Sequence, residues 1–348
     1  MDKQKNNGLV VMDNKLIRAS YKLTVNEIRL ILVAVSQMPK DDEPVDPKKA
    51  YYITKNDFVR LGVEPKNVAR EIRSACKDLI GRVLTIKTPI GDLDTHWIHN
   101  VLHFKSEVFE RLKKEYPNSE NDEEFLNSLR LHNLIDSIPI IVNSDDNLVA
   151  RVVLHEDVIP YISQLKEQFT QLMLDDVTGF SSFYSYRIYL MMMQFQSTGY
   201  CKIHINDLRE AFELKEKYEA TKDFKVRVVD TAVDEINEKS PYKVTYKMTK
   251  TGRKFTHLEL NFKKKKTEVN AIKDVQRDGK MSSTEGLNDK QLGRIVRNPA
   301  FMAEYNHLVS PTSPAGQSQQ GWEFEMINRL KKDPTQFNKR PIREYLEY

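Results

Sequence analysis

The sequence predicts an α+β protein in which one small module occurs twice and a mostly helical extension follows. Three observations predict this fold. Two separate stretches repeat the same order of elements: helix, strand, short helix, long helix and hairpin. Both stretches also contain the pattern I-x-x-N-D, which begins at Ile53 in the first and at Ile203 in the second. After the second stretch the sequence becomes polar, and linker-like segments separate short helical patterns.

The first copy begins with "LTVNEIRLILVAVSQM", which is helix-length and apolar on most sides, with Thr24 or Asn26 available as its cap. "YYIT" follows as a strand and "KNDFVRLG" as a short helix closed by Gly62. A long helix then opens at Pro65 and runs to about Ile80. "RVLTIKT" and "THWIHNVLHF" flank the turn "PIGD" and predict a β-hairpin.

The second copy repeats this order. "SSFYSYRIYLMMMQFQ" predicts an apolar helix, "YCKIHI" a strand and "NDLREAFEL" a short helix. "KDFKVRVVDTAVDEINEK" predicts a long helix, and "YKVTYKM" with "FTHLELNF" a hairpin around "TKTGRK". A helix-turn-helix unit followed by a two-stranded wing is the winged-helix plan. We therefore expect two tandem winged-helix domains, over residues 8–175 and 176–265.

The remaining segments are expected to be helical or extended. Residues 105–180 extend the first domain: "NDEEFLNSLRLHNLIDSI" predicts one or two helices, "NLVARVVLHEDVIPYI" a strand and "SQLKEQFTQLML" a connecting helix. Residues 266–348 form a linker and a helical extension of unassigned role. "KKKKTEVNAIKDVQRDGKMSSTEG" and "SPTSPAGQSQQG" are linkers. "LNDKQLGRIVRNPAFMAEYNHLV" predicts two short helices broken at Pro299, and "WEFEMINRLKKD" an amphipathic helix.

Composition limits the class of protein. Lys and Arg number 54 and Asp and Glu 50, so a basic partner surface must come from the placement of charges. Cys76 and Cys201 both lie in apolar runs and cannot form a disulfide framework, which indicates a reducing compartment. No signal peptide and no apolar run of about 18 residues is present, so we expect a cytoplasmic protein without a membrane span.

Apolar residues recur at helical spacing along the long helix of the first copy and mark its buried face. The opposite face is mostly cationic, with Glu71 and Asp78 at its margin. An ordinary solvated face would intersperse both signs, so we expect this face to contact DNA. The predicted buried stripe comprises Val68, Ile72, Ala75, Cys76 and Leu79. The candidate DNA-binding residues are Lys66, Asn67, Arg70, Arg73, Ser74 and Lys77.

The long helix of the second copy is basic only in its first turn. A helix N-terminus already holds partial positive charge, so cations there predict an anionic partner, and we expect that anion to be DNA. The alternative is that Arg227 forms an ordinary intrahelical ion pair with Asp223 or Asp230. The predicted buried stripe is Val226, Val229, Ala232, Val233 and Ile236. The candidate DNA-binding residues are Lys222, Lys225, Arg227 and Thr231, with Arg227 expected to reach a base edge.

The two predicted wings differ in charge. The second wing places four cations around a Gly-containing turn, where they can follow a phosphate strand or a narrow minor groove. A soluble hairpin tip is the alternative interpretation. The first wing contains "PIGDLD", which is acidic and is not expected to hold phosphate. The candidate residues of the second wing are Lys247, Lys250, Arg253 and Lys254.

These segments resemble the replication initiators of iteron-containing plasmids, which are built from two winged-helix domains. The resemblance covers residues 8–265. It is strongest in "FTQLMLDDVTGFSSFYSYRIYLMM", which looks like the junction between the family's domains, and "FKVRVVDTAVDEIN" is similar to its second recognition helix. The matching residues of the junction are Phe169, Tyr184, Ser185, Arg187, Tyr189 and Leu190.

The resemblance implies a function. Such initiators bind short direct repeats of double-stranded DNA at the origin, help to open an adjacent A+T-rich duplex and recruit the host's helicase machinery. Many also form homodimers through the first domain that bind inverted repeats and repress their own gene, while monomers initiate. Family DNA contacts carry over onto Lys222, Lys225 and Arg227. The sequence departs from the family by having Val226 where relatives often have another cation.

Enzymatic alternatives lack their motifs. A strand-nicking rolling-circle initiator would need a metal held by a His-apolar-His pair, and His96, His99 and His103 do not provide one. His96 and His99 face opposite sides of a strand, and His99 and His103 lie about 13 Å apart at strand rise. A nucleotide-binding loop is excluded because Asp274 replaces the first glycine before the Gly279-Lys280 pair. We expect no catalysis, no metal and no cofactor.

The sequence therefore predicts a DNA-binding replication initiator. A winged-helix transcriptional regulator is the main alternative, because its DNA-binding chemistry would be identical. A strand-nicking initiator is the third.

Overall fold

A computed structural model describes most of the chain, which divides into two compact units, residues 1–265 and 266–348. Most of the first predicted linker, with Gly279 and Lys280, lies outside the described residues, as does most of the second linker. The prediction was wrong at its first two lysines, Lys263 and Lys264, which belong to a β-strand. The described residues are 8–39, 45–119, 123–143, 147–163, 165, 167–265, 287, 289–309, 318–333, 336–337, 339–340 and 342–346.

The first module contains the predicted elements in the predicted order, preceded by a strand and a short helix that the sequence did not predict. Thr24 caps α2 reciprocally: its hydroxyl accepts from the Glu27 amide at 3.3 Å, and the Glu27 carboxylate accepts from the Thr24 amide at 2.6 Å. Thr54 and Asp57 repeat this box at α3. The elements are β1 (Leu9–Asp13), α1 (Asn14–Arg18), α2 (Val25–Ser36), β2 (Ala50–Thr54), α3 (Lys55–Arg60), α4 (Val68–Leu79), β3 (Val83–Thr88), β4 (Gly91–His96) and β5 (Ile98–His103).

The predicted first hairpin is correct only up to Trp97. β3 and β4 pair across the turn, with Thr88 opposite Gly91, but the predicted second strand divides after β4. Its second half, β5, joins a different sheet in the order β2-β6-β5. Trp97 is buried at the division and packs edge-on against Tyr21, with ring centroids 4.9 Å apart. Burial of this indole, rather than the hairpin register, therefore decides where the strand turns.

The segment after β5 forms α5 (Ser106–Ser119), α6 (Glu123–Leu131), α7 (Ser137–Val142) and β6 (Leu148–Leu154). The sequence predicted α6, the start of α7 and β6, but it did not predict α5. The predicted connecting helix was wrong, because its last part forms β7 (Phe169–Met173), antiparallel to β1. Thr170 and Leu172 are buried while Gln171 and Met173 are exposed, which is the two-residue period of a strand. The strand that pairs with β7 is β1, at the other end of the module. The sequence around Phe169 therefore does not reveal the pairing.

The second module matches the predicted order throughout, and its sheet has the order β8-β10-β9. Its long helix comprises three consecutive segments, and the middle one is π-helical. Both modules share one continuous hydrophobic core. The elements are α8 (Phe183–Met193), β8 (Tyr200–His204), α9 (Ile205–Ala211), α10 (Thr221–Phe224), the π segment Lys225–Asp230, α11 (Thr231–Lys239), β9 (Tyr242–Thr251) and β10 (Lys254–Lys264).

The C-terminal unit has its own helices, α12 (Asp289–Val296), α13 (Pro299–Tyr305) and α14 (Gln319–Lys332). The predicted break at Pro299 is confirmed: Asn298 caps α13 and Pro299 occupies its first turn. The unit has a separate aromatic-rich hydrophobic core. Of the apolar residues on α14, Trp322 and Leu330 enter this core, whereas Phe324 is 68% exposed.

The described residues lack two features that would indicate other classes of protein. In that part of the chain, no helix is both long and apolar enough to cross a membrane. The same residues contain no group of three or more His, Cys, Asp or Glu side chains that could hold a metal ion.

Candidate nucleic-acid interface

The buried face of α4 is the one that the sequence predicted. All five residues of the predicted stripe are buried, and they pack against α2 and β6. Burial raises the pKa of the Cys76 thiol to about 12, so this cysteine stays protonated and acts as a core residue. The polar face is consequently turned away from the core.

Most candidate cations of the first module are exposed and lightly held. Lys66 pairs with Glu64 at 3.1 Å and Arg70 with Glu71 at 3.1 Å, although the Lys66 and Arg70 side chains are 77% and 74% exposed. Exposed pairs of this kind contribute about 0–1 kcal/mol, so a phosphate can replace the carboxylate at little cost. Each of these cations is therefore available to an anionic partner.

The remaining candidates of the first module differ in position. Lys66 and Asn67 lie in the turn before α4, which begins at Val68 and not at Pro65. The Arg73 guanidinium donates to the Phe104 carbonyl at 3.2 Å, and the Ser74 hydroxyl donates to Asp78 at 3.4 Å. Lys77 is exposed and has no hydrogen bond or ion pair to any part of the chain that the structure describes. The outer face of α4 thus presents cations along its whole length.

The predicted stripe of the second long helix was wrong at Val226, which is 48% exposed. The other four predicted residues are buried, and Phe224 and Val228, which the prediction omitted, are buried with them. Val226 lies two residues, about 200°, from both Phe224 and Val228, so it points away from the core. The helix therefore places Val226 on the same exposed side as its cations.

Lys225 is linked to the wing through Asp230. Its ammonium lies 2.9 Å from the Asp230 carboxylate, and Tyr246 on β9 donates its hydroxyl to the same carboxylate. Hydrogen bonds with Tyr246 and with Asp230 raise the pKa of Lys225. Burial would raise the pKa of Asp230, but the hydrogen bonds from Tyr246 and Lys225 outweigh it and lower the pKa. We call these three residues the helix–wing triad.

The triad decides which cations are free. Since Lys225 occupies Asp230, the alternative pairing of Arg227 with Asp230 does not form. Arg227 and Lys222 are exposed, and neither side chain has a hydrogen bond or ion pair within the described residues. The Thr231 hydroxyl donates to the Val226 carbonyl at 3.0 Å, across the π turn. Lys222 in the first turn of this helix and Arg227 in its π segment accordingly have no protein partner in the described chain.

The second wing continues the basic surface. Its hairpin closes between Thr251 and Lys254, and Gly252 takes a φ of +64° that favours glycine over other residues. The Lys250 ammonium lies 4.5 Å from the Phe255 ring centroid, within range of a cation–π contact. The four predicted wing cations, Lys247, Lys250, Arg253 and Lys254, are all exposed.

The first wing has the opposite character. Asp92 and Asp94 are exposed on β4, and Asp94 accepts from the Thr85 hydroxyl at 2.6 Å. Lys87 on β3 pairs with Glu210 of the second module at 2.6 Å. One strand of this wing therefore contacts the second module, while its tip at Ile90 is exposed and its acidic side chains do not suit phosphate.

Sequence reasoning missed Tyr246 and Asp230 as parts of the interface. Asp230 was considered only as a partner of Arg227, and Tyr246 was only a strand residue. The five-residue separation of Lys225 and Asp230 is unusual for an α-helical pair but suits a π turn. No local pattern brings a residue of β9 to that pair.

Comparison with protein families decides the identity of the fold. Residues 9–193 match the family model described as Initiator Replication protein, WH1, and residues 204–262 match the model described as Initiator Rep protein, WH2. The chain belongs to the initiator Rep family. It is a replication initiator built from tandem winged-helix domains, as the sequence predicted.

A solved structure shares the fold of this initiator. The crystal structure of the Pi initiator protein in complex with iteron DNA matches with a TM-score of 0.55 and 18% sequence identity. The match covers 76% of this chain and 100% of the Pi chain. At this identity the similarity concerns the fold.

Proposed function

We propose that this initiator binds double-stranded iteron DNA at a replication origin through the long helices of both modules. The observation that carries the proposal is the pair of cations without a protein partner in the described chain, Lys222 in the first turn of the second long helix and Arg227 in its π segment. Both cations lie on the helix that the helix–wing triad links to the basic second wing. Helix N-termini and flexible hairpin cations are suited to phosphate and groove contacts.

The first module supports a positioning role. Its candidates Lys66, Arg70 and Lys77 are exposed cations whose carboxylate partners, where present, are weak. Phosphate contacts fix the register of a protein on DNA but carry no sequence information. We therefore assign phosphate contacts to the first module and base reading to Arg227.

The resemblance to the family supports proposals for the finer parts of the function. We propose a cytoplasmic initiator that opens an A+T-rich duplex beside its repeats and contacts a host replicative helicase. A homodimer in equilibrium with the monomer would bind an inverted repeat and repress the initiator gene. We assign the first winged-helix domain to residues 8–175, the second to residues 176–265, and a linker and helical extension to residues 266–348. We propose that the chain acts without catalysis.

A footprint on candidate origin DNA tests the binding. We expect several protected sites at regular spacing, and isolated protection at promoters only would favour a transcriptional regulator. Maintenance of a marker plasmid that carries the origin separates initiation from regulation. Covalent protein–DNA adducts would instead support the strand-nicking alternative.

The dependence of affinity on salt tests the number of contacts. If about eight phosphates are engaged, the logarithm of affinity falls with the logarithm of salt concentration at a slope of about −7. A slope near −1 would contradict docking by both modules.

A further inference from the structure

Arg187 on α8 is a buried cation without a carboxylate partner. Its side chain is 0% exposed, and no ion pair to it occurs among the described residues. Burial of a guanidinium without an ion pair is costly, so its retention requires favourable contacts of another kind.

Those contacts come from both modules. The Nη2 group of Arg187 donates to the Ala19 carbonyl at 2.7 Å and to the Ala211 carbonyl at 3.2 Å. Ala19 ends α1 in the first module, and Ala211 ends α9 in the second. Terminal helix carbonyls lack partners within their helices and are good acceptors for a cation. One side chain thus satisfies a helix end in each module.

Tyr21 completes the site. The guanidinium carbon of Arg187 lies 3.7 Å from the Tyr21 ring centroid, which is the geometry of a desolvated cation–π contact. The Tyr21 amide donates to the same Ala211 carbonyl at 3.2 Å. Since Tyr21 belongs to the first module, it holds both the cation and the second module's acceptor.

Other direct contacts between the modules are either exposed or involve α8 and the residues just before it. The Lys87–Glu210 pair is exposed, as is the hydrogen bond from Arg18 to Gln194, and exposed contacts of this kind contribute little. The Ser20 hydroxyl also donates to the Glu210 carbonyl on α9 at 2.6 Å, in an exposed setting. Arg29 on α2 donates to Tyr186 and to the Phe180 carbonyl, which fixes α8 on the first module. Arg187 extends this attachment from α8 to α9, the helix that precedes the DNA-binding helix.

We propose that Arg187 is a positioning residue that fixes the angle between the two modules, and thereby the spacing of the two DNA blocks that they read. The inference rests on the proposed function. A guanidinium suits this place because it can lie flat on the Tyr21 ring while its Nη2 group donates to both carbonyls.

The test selects DNA from a library of randomised duplexes with the full-length chain. The unmodified protein should select two sequence blocks at one fixed spacing. Arg187→Met should select the same blocks at two or more spacings. Insertion of one base pair between the blocks should weaken binding about tenfold or more for the unmodified chain and much less for the variant, because only a rigid pair of modules loses simultaneous engagement.

Arg209→Met is the matched control. The Arg209 guanidinium also bonds carbonyls, those of Lys215, Lys217 and Tyr218, but all three lie within the second module. Its replacement should leave the spacing unchanged. An Arg187→Met protein that keeps a single spacing would overturn the inference while leaving the proposed function intact. Selection of only one block by the unmodified protein would instead contradict docking by both modules.

A second measurement does not depend on DNA. Spin labels on Glu64→Cys and Glu238→Cys, both at exposed positions, report the distance between modules, and the native Cys76 and Cys201 are buried. We expect one narrow distance distribution in the otherwise unmodified chain and a broader one with Arg187→Met. If that variant does not fold, Tyr21→Leu removes the ring beneath the cation and should broaden the distribution similarly. An unchanged distribution in the folded variant contradicts the inference.

Discussion

The long helices of the two modules hold their exposed cations in different ways. In the first module, Lys66 in the turn before α4 and Arg70 on α4 pair with acidic neighbours one or two residues away, and the adjacent wing is acidic. In the second module, Lys225 is tied to the wing through Asp230 and Tyr246, while Arg227 is left free. The same winged-helix plan thus gives one loosely held cationic face and one face organised by tertiary contacts. Base reading requires fixed geometry, whereas phosphate contact does not.

The largest expected effect comes from Arg227→Ala. If Arg227 contacts a base edge, its removal should weaken binding to the selected duplex by about 1–3 kcal/mol and relax preference at one base position. Affinities for a panel of single-base variants measure this. A uniform loss across the panel would reduce Arg227 to a phosphate contact and would weaken the contrast between the modules.

Glu235→Gln should lower stability by about 1–3 kcal/mol near neutral pH, because a buried charged acceptor loses its ionic bonds. Glu235 accepts from the Ser181 amide at 2.7 Å and from Lys239 at 2.8 Å, and so anchors α11 within its module. Burial would raise the pKa of Glu235, but its hydrogen bonds, chiefly from Lys239, lower it.

The pH dependence of the unfolding free energy tests this role of Glu235. A carboxylate whose pKa is depressed by folding contributes stability above its unfolded pKa, and that stability is lost as pH falls through the folded pKa. The difference in unfolding free energy between the unmodified protein and Glu235→Gln should be constant above about pH 5 and shrink below it. Denaturant titrations at several pH values measure it. A difference that grows on acidification would contradict the assignment.

Tyr246→Phe should weaken DNA binding by about 0.5–1.5 kcal/mol, the net value of one hydrogen bond. Without the Tyr246 hydroxyl, Asp230 loses its link to the wing. The Asp230 carboxylate then competes more strongly with phosphate for Lys225. Tyr200→Phe, at an exposed residue of the same sheet, is the control. Equal affinities of the two variants would show that the helix–wing triad does not organise the interface.

The smallest effects are expected for single phosphate contacts. Arg70→Ala and Arg253→Ala should each reduce the magnitude of the salt slope by about 1 without changing base preference. Affinity measured across a salt series gives the slope. A changed base preference for Arg70→Ala would show that the first module also reads sequence.

Much of the fold could be predicted because the sequence patterns that determine it are local. The stripe of α4, the cap at Thr24 and the break at Pro299 each depend on residues within a few positions of one another. β7 was missed because its partner, β1, lies at the other end of the first module. A short run such as "FTQLM" suits a helix or a strand until that partner is known.

For the candidate site, too, the sequence predicted the local features but not the tertiary contacts. The cations themselves are visible in the sequence, and the structure places most of them on the surface. Their partners are not visible, since Tyr246 reaches Asp230 from another element. The exposure of Val226 was also missed, because Phe224 was left out of the predicted stripe.

The antiparallel pairing of β1 with β7 bears on synthesis at the ribosome. Leu9 lies opposite Met173, so the first strand has no partner until almost the whole first module has been translated. Until then the nascent chain exposes an unpaired apolar strand, which is a site for premature association with other chains. Chaperone binding to stalled nascent chains should therefore fall once Met173 has emerged from the exit tunnel.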